Sequence, residues 1–386
     1  MKVCFETFGC RLNRAEALDQ EAEFLARGWE RTEGHSDADL VVVRGCSVTR
    51  RAQRDCEKLI EHIKAKYPLK KVVVTGCLPN VDKSFFLKKQ LTSGETPVPT
   101  RTARAFLKVQ DGCSGKCAFC IVPRFRGASS SVGFDAVLDK AKRFIDAGYR
   151  EIVVTGCNLS LYASQGRRLP ELLAALAGLS PACRVRLGSL EPSEVALDVV
   201  GVAAGRPNVC RYLHVPVQSG ANRILVSMRR PYFARDVDEL VRRAQAEIPG
   251  VALGCDLMTG FPDELDLDFR ATKSLLSRHP FSRVHVFPFS ERPGTVAAAL
   301  PGAVPKEIRR ARAKELADLA DERRAAAARR FVGRRVEVVV EEEDGCAGWT
   351  SEYFWCACPH ARAPRKSLVS VLVRSVRGHQ LVGVPV

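Results

Sequence analysis

Val109-Gln-Asp-Gly-Cys113-Ser-Gly-Lys-Cys117-Ala-Phe119-Cys120-Ile-Val-Pro-Arg-Phe-Arg-Gly127 sets three cysteines at spacing C-x3-C-x2-C on one short loop. Three thiolates cannot close a 4Fe-4S cube. One of the four irons stays open, and an open metal position binds a reactant rather than only holding structure. A structural zinc loop is the other reading of these residues. It would need a fourth Cys or His close by, and the next thiol downstream is Cys157.

The 386 residues around this loop exceed one ordinary core and predict two or three domains. Hydrophobic residues make up 46% and charged residues 27%, the balance of a soluble globular chain. No run approaches the ~18 apolar residues of a spanning helix, and Met1-Lys2 leads almost directly into a strand-like Val3–Thr7 rather than a signal peptide. The expected address is cytoplasmic, with no membrane partner. Fifteen cysteines in such a compartment point to metal or redox use, since thiols there stay reduced. The net charge of +16, from 60 Lys+Arg against 44 Asp+Glu, makes an anionic partner such as RNA the economical inference.

Upstream of the loop the apolar runs Val3–Thr7, Leu40–Val43 and Val72–Val74 alternate with helical patterns. One carries Leu18, Ala22 and Leu25 on a face and stops at Gly28; another carries Cys56, Leu59, Ile60 and Ile63. Each run ends in Gly-Cys, at Cys10, Cys46 and Cys77. Strands alternating with helices make a parallel sheet whose carboxyl ends share one edge, so these three thiols should converge in space as a second open set. Cys4 and Cys56 read as small core residues. Thr92–Thr102, with Gly94, Pro97 and Pro99, reads as a linker closing a first domain of residues 1–100.

Downstream, the strands Phe106–Val109, Ile152–Val154, Arg184–Leu187, Arg211–Val215, Val251–Leu257 and Arg283–Phe287 alternate with helical segments. They give six β/α units at about 30 residues each, short of a closed eightfold barrel. The expected class is α/β with a central open (β/α)6 partial barrel over residues 101–332. Its chemistry should lie at the strands' carboxyl ends: Gly156-Cys157-Asn158, Ser189 and Glu191, His214 to Gln218, and Asp256 to Pro262. Ser193 and Asp263 read as helix caps there, and His214 as a satisfied core histidine. Cys157, Cys183, Cys210 and Cys255 share no spacing and read as core or incidental.

Pro305–Arg330 reads as a long arginine-rich connector helix packed by Ala313, Leu316 and Ala320. From residue 333 to 386 short strands broken by Gly and Pro predict a small antiparallel barrel. Trp349, Tyr353 and Trp355 either fill that barrel or stack on unpaired bases. Cys346, Cys356, Cys358 and His360 make a poor zinc set.

The central loop, with Phe119 before its last cysteine, resembles the cluster loop of radical S-adenosylmethionine (SAM) enzymes. The motifs Gly9-Cys10-Arg-Leu-Asn13-x-x-Glu16, Val43-Arg44-Gly45-Cys46-Ser-Val-Thr49 and Val74-Thr-Gly76-Cys77 resemble the amino-terminal domain of the methylthiotransferases, although most members have Asn-Thr where this chain has Arg44-Gly45. The carboxyl-terminal segment, with Gly348-Trp349-Thr350-x-x-Tyr353, resembles the TRAM domain of RNA-modifying enzymes. The resemblance implies two 4Fe-4S clusters, one on Cys113, Cys117 and Cys120 and one on Cys10, Cys46 and Cys77. It implies SAM held near Phe119, Gly156, Asn158, Ser189, Glu191 and Gln218. It also implies a reductant protein such as flavodoxin or ferredoxin, a monomer, and transfer of S-CH3 to an adenine beside the tRNA anticodon. The Cys10-Arg-Leu-Asn13 opening and Arg186-Leu-Gly-Ser-Leu-Glu-Pro192 look most like enzymes acting on threonylcarbamoyl-adenosine. Isopentenyl-adenosine and a ribosomal-protein side chain are the alternative substrates within the family. A non-catalytic iron-sulfur RNA-binding module is the alternative of another class.

Overall fold

Valine-rich runs decide the amino-terminal part. In the computed structural model, which describes residues 1–78, 98 and 102–386, Lys2–Thr7 (β1) leads into Arg11–Ala26 (α1) and a two-residue strand, Glu30–Arg31 (β2). Leu40–Gly45 (β3), Arg50–Lys66 (α2) and Lys71–Gly76 (β4) follow. The four strands pair in parallel in the order β2-β1-β3-β4. The helix after β1 buries Leu12, Ala15, Leu18 and Ala22, but Leu25 is 41% exposed. Phe24 takes its place, packing edge-on against Phe5 and Trp29. Cys4, Cys56 and Ile63 are buried as expected. The expected linker and its domain boundary fall outside the described residues, apart from Val98 and Thr102.

Ala105–Lys108 (β5) opens the central part. A small ribbon of Gln110–Asp111 (β6) and Ser130–Ser131 (β7) brackets the thiol loop, which ends in a short helix, Val122–Arg126 (α3). Phe134–Asp146 (α4) leads to Glu151–Thr155 (β8), and the ribbon Ala163–Ser164 (β9) with Arg167–Arg168 (β10) to Leu169–Gly178 (α5). Then come Arg184–Leu187 (β11), Glu194–Ala204 (α6), Tyr212–Gln218 (β12), Asn222–Ser227 (α7), Ala234–Glu247 (α8), Ala252–Thr259 (β13), Asp266–Arg278 (α9) and Phe281–Pro288 (β14). β5, β8 and β11 form one parallel sheet and β12, β13 and β14 another. Backbone bonds join them where Val185 donates to Asn208 and Cys210 donates to Val185, both at 2.8 Å. No pairing closes β5 on β14 among the described residues, so the six-stranded barrel is open. Ser193 caps α6 through Ala196 N–H. Asp263 does not cap α9: it sits at φ +63 and pairs with Arg223, leaving Leu265 at the cap position.

Two elements flank the opening. Ala15 and Leu18 of α1 share an apolar cluster with Phe106 of β5 and Val153 of β8. Lys306–Arg329 (α10) lies against β14, burying Leu316, Ala320 and Arg312. Arg312 pairs with Glu264 at 2.8 Å and Asp266 at 2.5 Å.

Arg335–Val340 (β15), Ala347–Thr350 (β16), Trp355–Ala357 (β17), Leu368–Arg377 (β18) and Gln380–Pro385 (β19) close into a five-stranded barrel. Gly348 lies within β16, and the close approach of β15 requires glycine there, since a Cβ would fall 1.7 Å from the Val339 carbonyl. This barrel docks on the amino ends of the central strands. Arg184 donates to the carbonyls of Glu337 (2.9 Å) and Trp349 (2.6 Å), and Arg186 to those of Thr350 (2.8 Å) and Ser351 (3.1 Å). Both arginines also bind Glu151, at 2.6 and 2.7 Å, and the Glu151 and Arg186 side chains have no exposure.

Tyr353, at φ +67, turns into the central lumen with the guanidiniums of Arg283, Arg186, Arg11 and Arg104 at 4.5, 4.6, 4.9 and 5.9 Å from its ring. Trp349 stacks on it at 4.7 Å. Tyr353 and Trp349 therefore seal one barrel against the other and are not free platforms for bases. Cys346, Cys356 and Cys358 lie in the small barrel's core.

Glu151→Ala would leave Arg184 and Arg186 buried without their carboxylate and should cost about 3–5 kcal/mol, read by urea denaturation. Burial raises the Tyr353 hydroxyl, but the four arginines outweigh it and bring it down to about 8. Because that value lies below the unfolded one near 10, the phenolate's contribution to stability is complete above about pH 10 and is lost as pH falls through about 8. Absorbance titration at 295 nm should find one tyrosine ionising near pH 8 that Tyr353→Phe removes.

Candidate active site

The thiol loop after β5 is held from both sides. Ala118 donates its N–H to the Met228 carbonyl (2.9 Å) and accepts from Ala297 N–H (2.8 Å). Gly115 has no side chain to intrude. A Cβ there would lie 3.2 Å from Cys113 Sγ and 3.9 Å from Cys117 Sγ, so those two sulfurs share one face of the loop. Gly115 N–H donates to Cys113 Sγ at 3.3 Å, and Arg230 Nη1 donates to Cys117 Sγ at 3.0 Å. Phe119 packs against the apolar group of Ala221, Ile224, Met228, Phe261 and Phe289.

Arg230 ties this loop to the expected SAM residues. Its other nitrogen meets Glu191 Oε1 at 2.5 Å, and Glu191 Oε2 accepts from Asn158 Nδ2 at 3.0 Å. Asn158 N–H in turn donates to Gln110 Oε1 at 2.9 Å. Gly156 must be glycine for that contact, since its Cβ would lie 2.8 Å from the same oxygen. Gln218 ends β12 in a left-handed conformation, φ +65, a strain that non-glycine residues hold only where the surroundings impose it. Ser189 is exposed and bridges His214 through its backbone. Phe119, Gly156, Asn158, Ser189, Glu191 and Gln218 thus all come from the loop region and the carboxyl ends of β8, β11 and β12.

The loops that carry the second thiol set lie side by side. Cys10 is at the start of α1, Cys46 follows β3 and Cys77 follows β4. At Gly9, φ +96, a Cβ would lie 2.6 Å from Cys46 Cβ and 2.9 Å from its Sγ. Cys77 N–H donates to the Gly45 carbonyl at 3.1 Å. Asn13 stitches the loops by donating to the carbonyls of Phe8 (2.9 Å) and Gly45 (2.8 Å). The departure at Arg44-Gly45 is accommodated. Gly45 gives up its side chain to Leu78, whose Cδ1 would be 2.0 Å from a Cβ, and Arg44 is buried on Glu16 at 2.6 Å.

Arg126, at the end of the thiol loop, joins the two sets. Its Nε donates to Cys77 Sγ at 2.9 Å and Nη2 to Asn13 Oδ1 at 2.7 Å. Nη1 reaches Asp111 Oδ1 at 2.9 Å and Nη2 reaches Glu16 Oε2 at 3.0 Å. Lys108 bridges Glu16 and Asp111, both at 2.6 Å. Burial alone would raise the Glu16 carboxyl, but Lys108, Arg126 and Arg44 outweigh it and hold it far below the usual carboxylate range. Cys157 lies beside this network, its Sγ 3.7 Å from Asp111 Oδ1.

Burial pushes the Cys46 and Cys120 thiols up to about 11, and raises Cys77 and Cys117 against the pull of Arg126 and Arg230. Without a metal these four thiols are therefore protonated at neutral pH, and binding a metal releases their protons.

Residues 2–93 match the family described as Uncharacterized protein family UPF0004, and residues 107–276 match the Radical SAM superfamily. The chain is 33% identical to a tRNA-2-methylthio-N(6)-dimethylallyladenosine synthase of Cereibacter sphaeroides, over 88% of this chain and 87% of that protein. It is 30% identical to the threonylcarbamoyladenosine tRNA methylthiotransferase MtaB of Aquifex aeolicus, over 89% and 94%. The chain belongs to the radical SAM methylthiotransferase family. Membership makes it an enzyme of that class and implies one 4Fe-4S cluster and SAM. Among solved structures the radical SAM methyltransferase TsrM from Kitasatospora setae shares the fold, with a TM-score of 0.55, 13% identity and 77% coverage of both chains. No helix among the described residues is long and apolar enough to cross a membrane.

Arg230 and Lys108 were not legible as site residues. Gln110, Asp111, Arg126 and Glu16 stood inside the motifs, but spacing gave no reason to single them out. Gly9→Ala should lower the melting midpoint by an amount matching about 1–3 kcal/mol. Gly28→Ala, also at positive φ but with nothing within 4 Å of its Cβ, isolates backbone strain and should cost less.

Proposed function

We propose that this enzyme replaces the C2 hydrogen of N6-threonylcarbamoyladenosine, beside the tRNA anticodon, with S-CH3. Cys113, Cys117 and Cys120 would hold one 4Fe-4S cluster and Cys10, Cys46 and Cys77 a second. Both donor sets are all-thiol and carry N–H donors aimed at sulfur, from Gly115, Arg230 and Arg126, the surroundings that suit cluster thiolates. When bound, the clusters and SAM supply a carbon-centred radical and a sulfur atom. The observation that carries the reading is Arg126, which ties the radical loop directly to a thiol of the other set and so supports both sets serving one reaction space.

Within that space the chain's own residues orient and select. Arg230, Glu191, Asn158 and Gln110 form one hydrogen-bonded chain from Cys117 to the β8 loop, fixing the side chains proposed to meet SAM together with Phe119, Gly156, Ser189 and Gln218. Arg11, from the motif that sets the threonylcarbamoyl group of enzymes apart, reaches the lumen over Tyr353 and makes no ion pair among the described residues. A cation there suits the carboxylate of a threonylcarbamoyl group, whereas a dimethylallyl group has no charge to meet it. The competing substrate is dimethylallyladenosine, favoured by the 33% identity to a synthase of that type. The small barrel, basic surface and tRNA form part of the same proposal, as do a flavodoxin or ferredoxin donor, a monomeric state and a cytoplasmic location.

Mass spectrometry of tRNA nucleosides from cells with and without the gene should show loss of the 2-methylthio adduct of threonylcarbamoyladenosine. Loss from dimethylallyladenosine would move the substrate, and unchanged tRNA would end the reading. Cys46→Ala should lower iron by about one cluster's worth while 5'-deoxyadenosine formation stays measurable; full iron retention would count against a second cluster.

A further inference from the structure

Inside the barrel lies a polar layer that neither thiol set uses. Asp256 of β13 and His285 of β14 are direct cross-strand partners, and His214 comes from the adjacent β12. His214 Nε2 and His285 Nδ1 both lie 3.0 Å from Asp256 Oδ1, and the Tyr212 hydroxyl lies 2.8 Å from His214 Nδ1. Space for this arrangement is reserved by Gly254, where a Cβ would sit 2.0 Å from the Tyr212 oxygen and 2.6 Å from His214 Nδ1. His214 is thus buried and satisfied, as the sequence suggested, but as the inner member of a group.

Hydrogen-bond accounting fixes the roles. An ionised carboxylate only accepts, so each imidazole gives Asp256 an N–H, and His214 takes the Tyr212 hydrogen at its other nitrogen. Burial would raise the Asp256 carboxyl, but the two imidazoles outweigh it and keep it ionised. Among the described residues no hydrogen bond engages Oδ2 of Asp256 or, further out, Nε2 of His285. Exposure rises in the same direction, with 6% of the side chain accessible for His214, 21% for Asp256 and 42% for His285.

The layer faces the reaction space. His214 is in register with Ser189, two residues before the Glu191 that meets Arg230 and Asn158. Met258, two residues beyond Asp256 on the same strand face, packs in the group that holds Phe119. The layer is therefore one strand repeat, about 6.6 Å, below the proposed SAM seat, a step comparable with the breadth of a purine.

We propose that this layer binds the edge of the substrate purine remote from C2, with His285 Nε2 accepting the single N6–H of an N6-monosubstituted adenosine. Asp256 and His214 are positioning residues that hold His285 in the tautomer able to accept. This rests on the purine methylthiolation reading but not on which N6 group the base carries, since threonylcarbamoyl and dimethylallyl substituents both leave one N6–H.

The test uses the full enzyme with anticodon stem-loops whose modified adenosine carries deuterium at C2, and reads the deuterated fraction of 5'-deoxyadenosine together with KM. His285→Phe should lower that fraction and raise KM by about tenfold in combination, the factor one lost hydrogen bond is worth, and His285→Gln should recover part of it. A stem-loop methylated at N6, with no N6–H, should behave in the unaltered enzyme as the ordinary substrate does in His285→Phe, and should be no worse in that variant. This arm needs no altered protein, so misfolding cannot obscure the answer. Equal labelling and KM in His285→Phe, or equal discrimination against the N6-methylated stem-loop by both proteins, would overturn the proposal. So would a divalent ion beyond the cluster iron that Asp256→Asn removes, which would make the layer a metal site. If the unaltered enzyme labels 5'-deoxyadenosine from neither base, the purine reading itself fails, an outcome distinct from labelling that ignores His285.

Discussion

A single guanidinium constrains this structure more than any other group. Arg126 is nearly out of solvent, so each of its hydrogens needs a partner, and it finds them on both sides of the domain junction: Cys77 and Asn13 on one, Asp111 on the other, with Glu16 between. Lys108 and Arg44 complete the charge balance. Pulling the domains apart would strand these carboxylates and cations away from water, which costs several kcal/mol per uncompensated ion. Hydrophobic contact between α1 and β5 supplies non-directional adhesion, but a fork of hydrogen bonds fixes orientation.

Much of this could be read from the sequence because it is periodic. The Gly-Cys turns after three apolar runs, the six β/α units and the cysteine loop each follow from a local rule, and each lies where the rule puts it. The misses also have physical causes. Glu30–Arg31 is too short to carry a period. Leu25 has the right spacing for a buried face, yet Phe24 has more area to bury and takes the position. Asp263 looks like a cap but is drawn off by Arg223. Charged partners such as Arg230 with Cys117 and Glu191 join distant points of the chain, and no pattern of neighbours in sequence announces them.

The carboxyl-terminal barrel illustrates the same limit. Its strands were legible from alternation and glycines, and Trp349 and Tyr353 were visible as conspicuous aromatics. Their use was not, because it depends on Arg11, Arg104, Arg186 and Arg283 arriving from other elements. A phenol ring surrounded by guanidiniums combines cation–π attraction with a hydroxyl that ionises easily, and the fully buried Glu151 balances the nearby positive charge. The two barrels are therefore joined by polar contacts that need each other to be tolerable, and these fix the orientation of an apolar cluster in which Tyr212 and Ala252 pack with Val336 and Phe354.

Stoppering one end of the central barrel has a geometric consequence for whatever enters it. With Tyr353 and Trp349 across the amino ends of the strands, the approach left is from the rim where the two cysteine sets lie. A nucleobase within a polynucleotide cannot reach His285 from there while it remains between its neighbours, and must swing out of the stack, at a cost of a few kcal/mol. A base-binding site reached this way would admit bases that are already loosely stacked, so access alone would discriminate between a loop and a duplex before any side chain read the base.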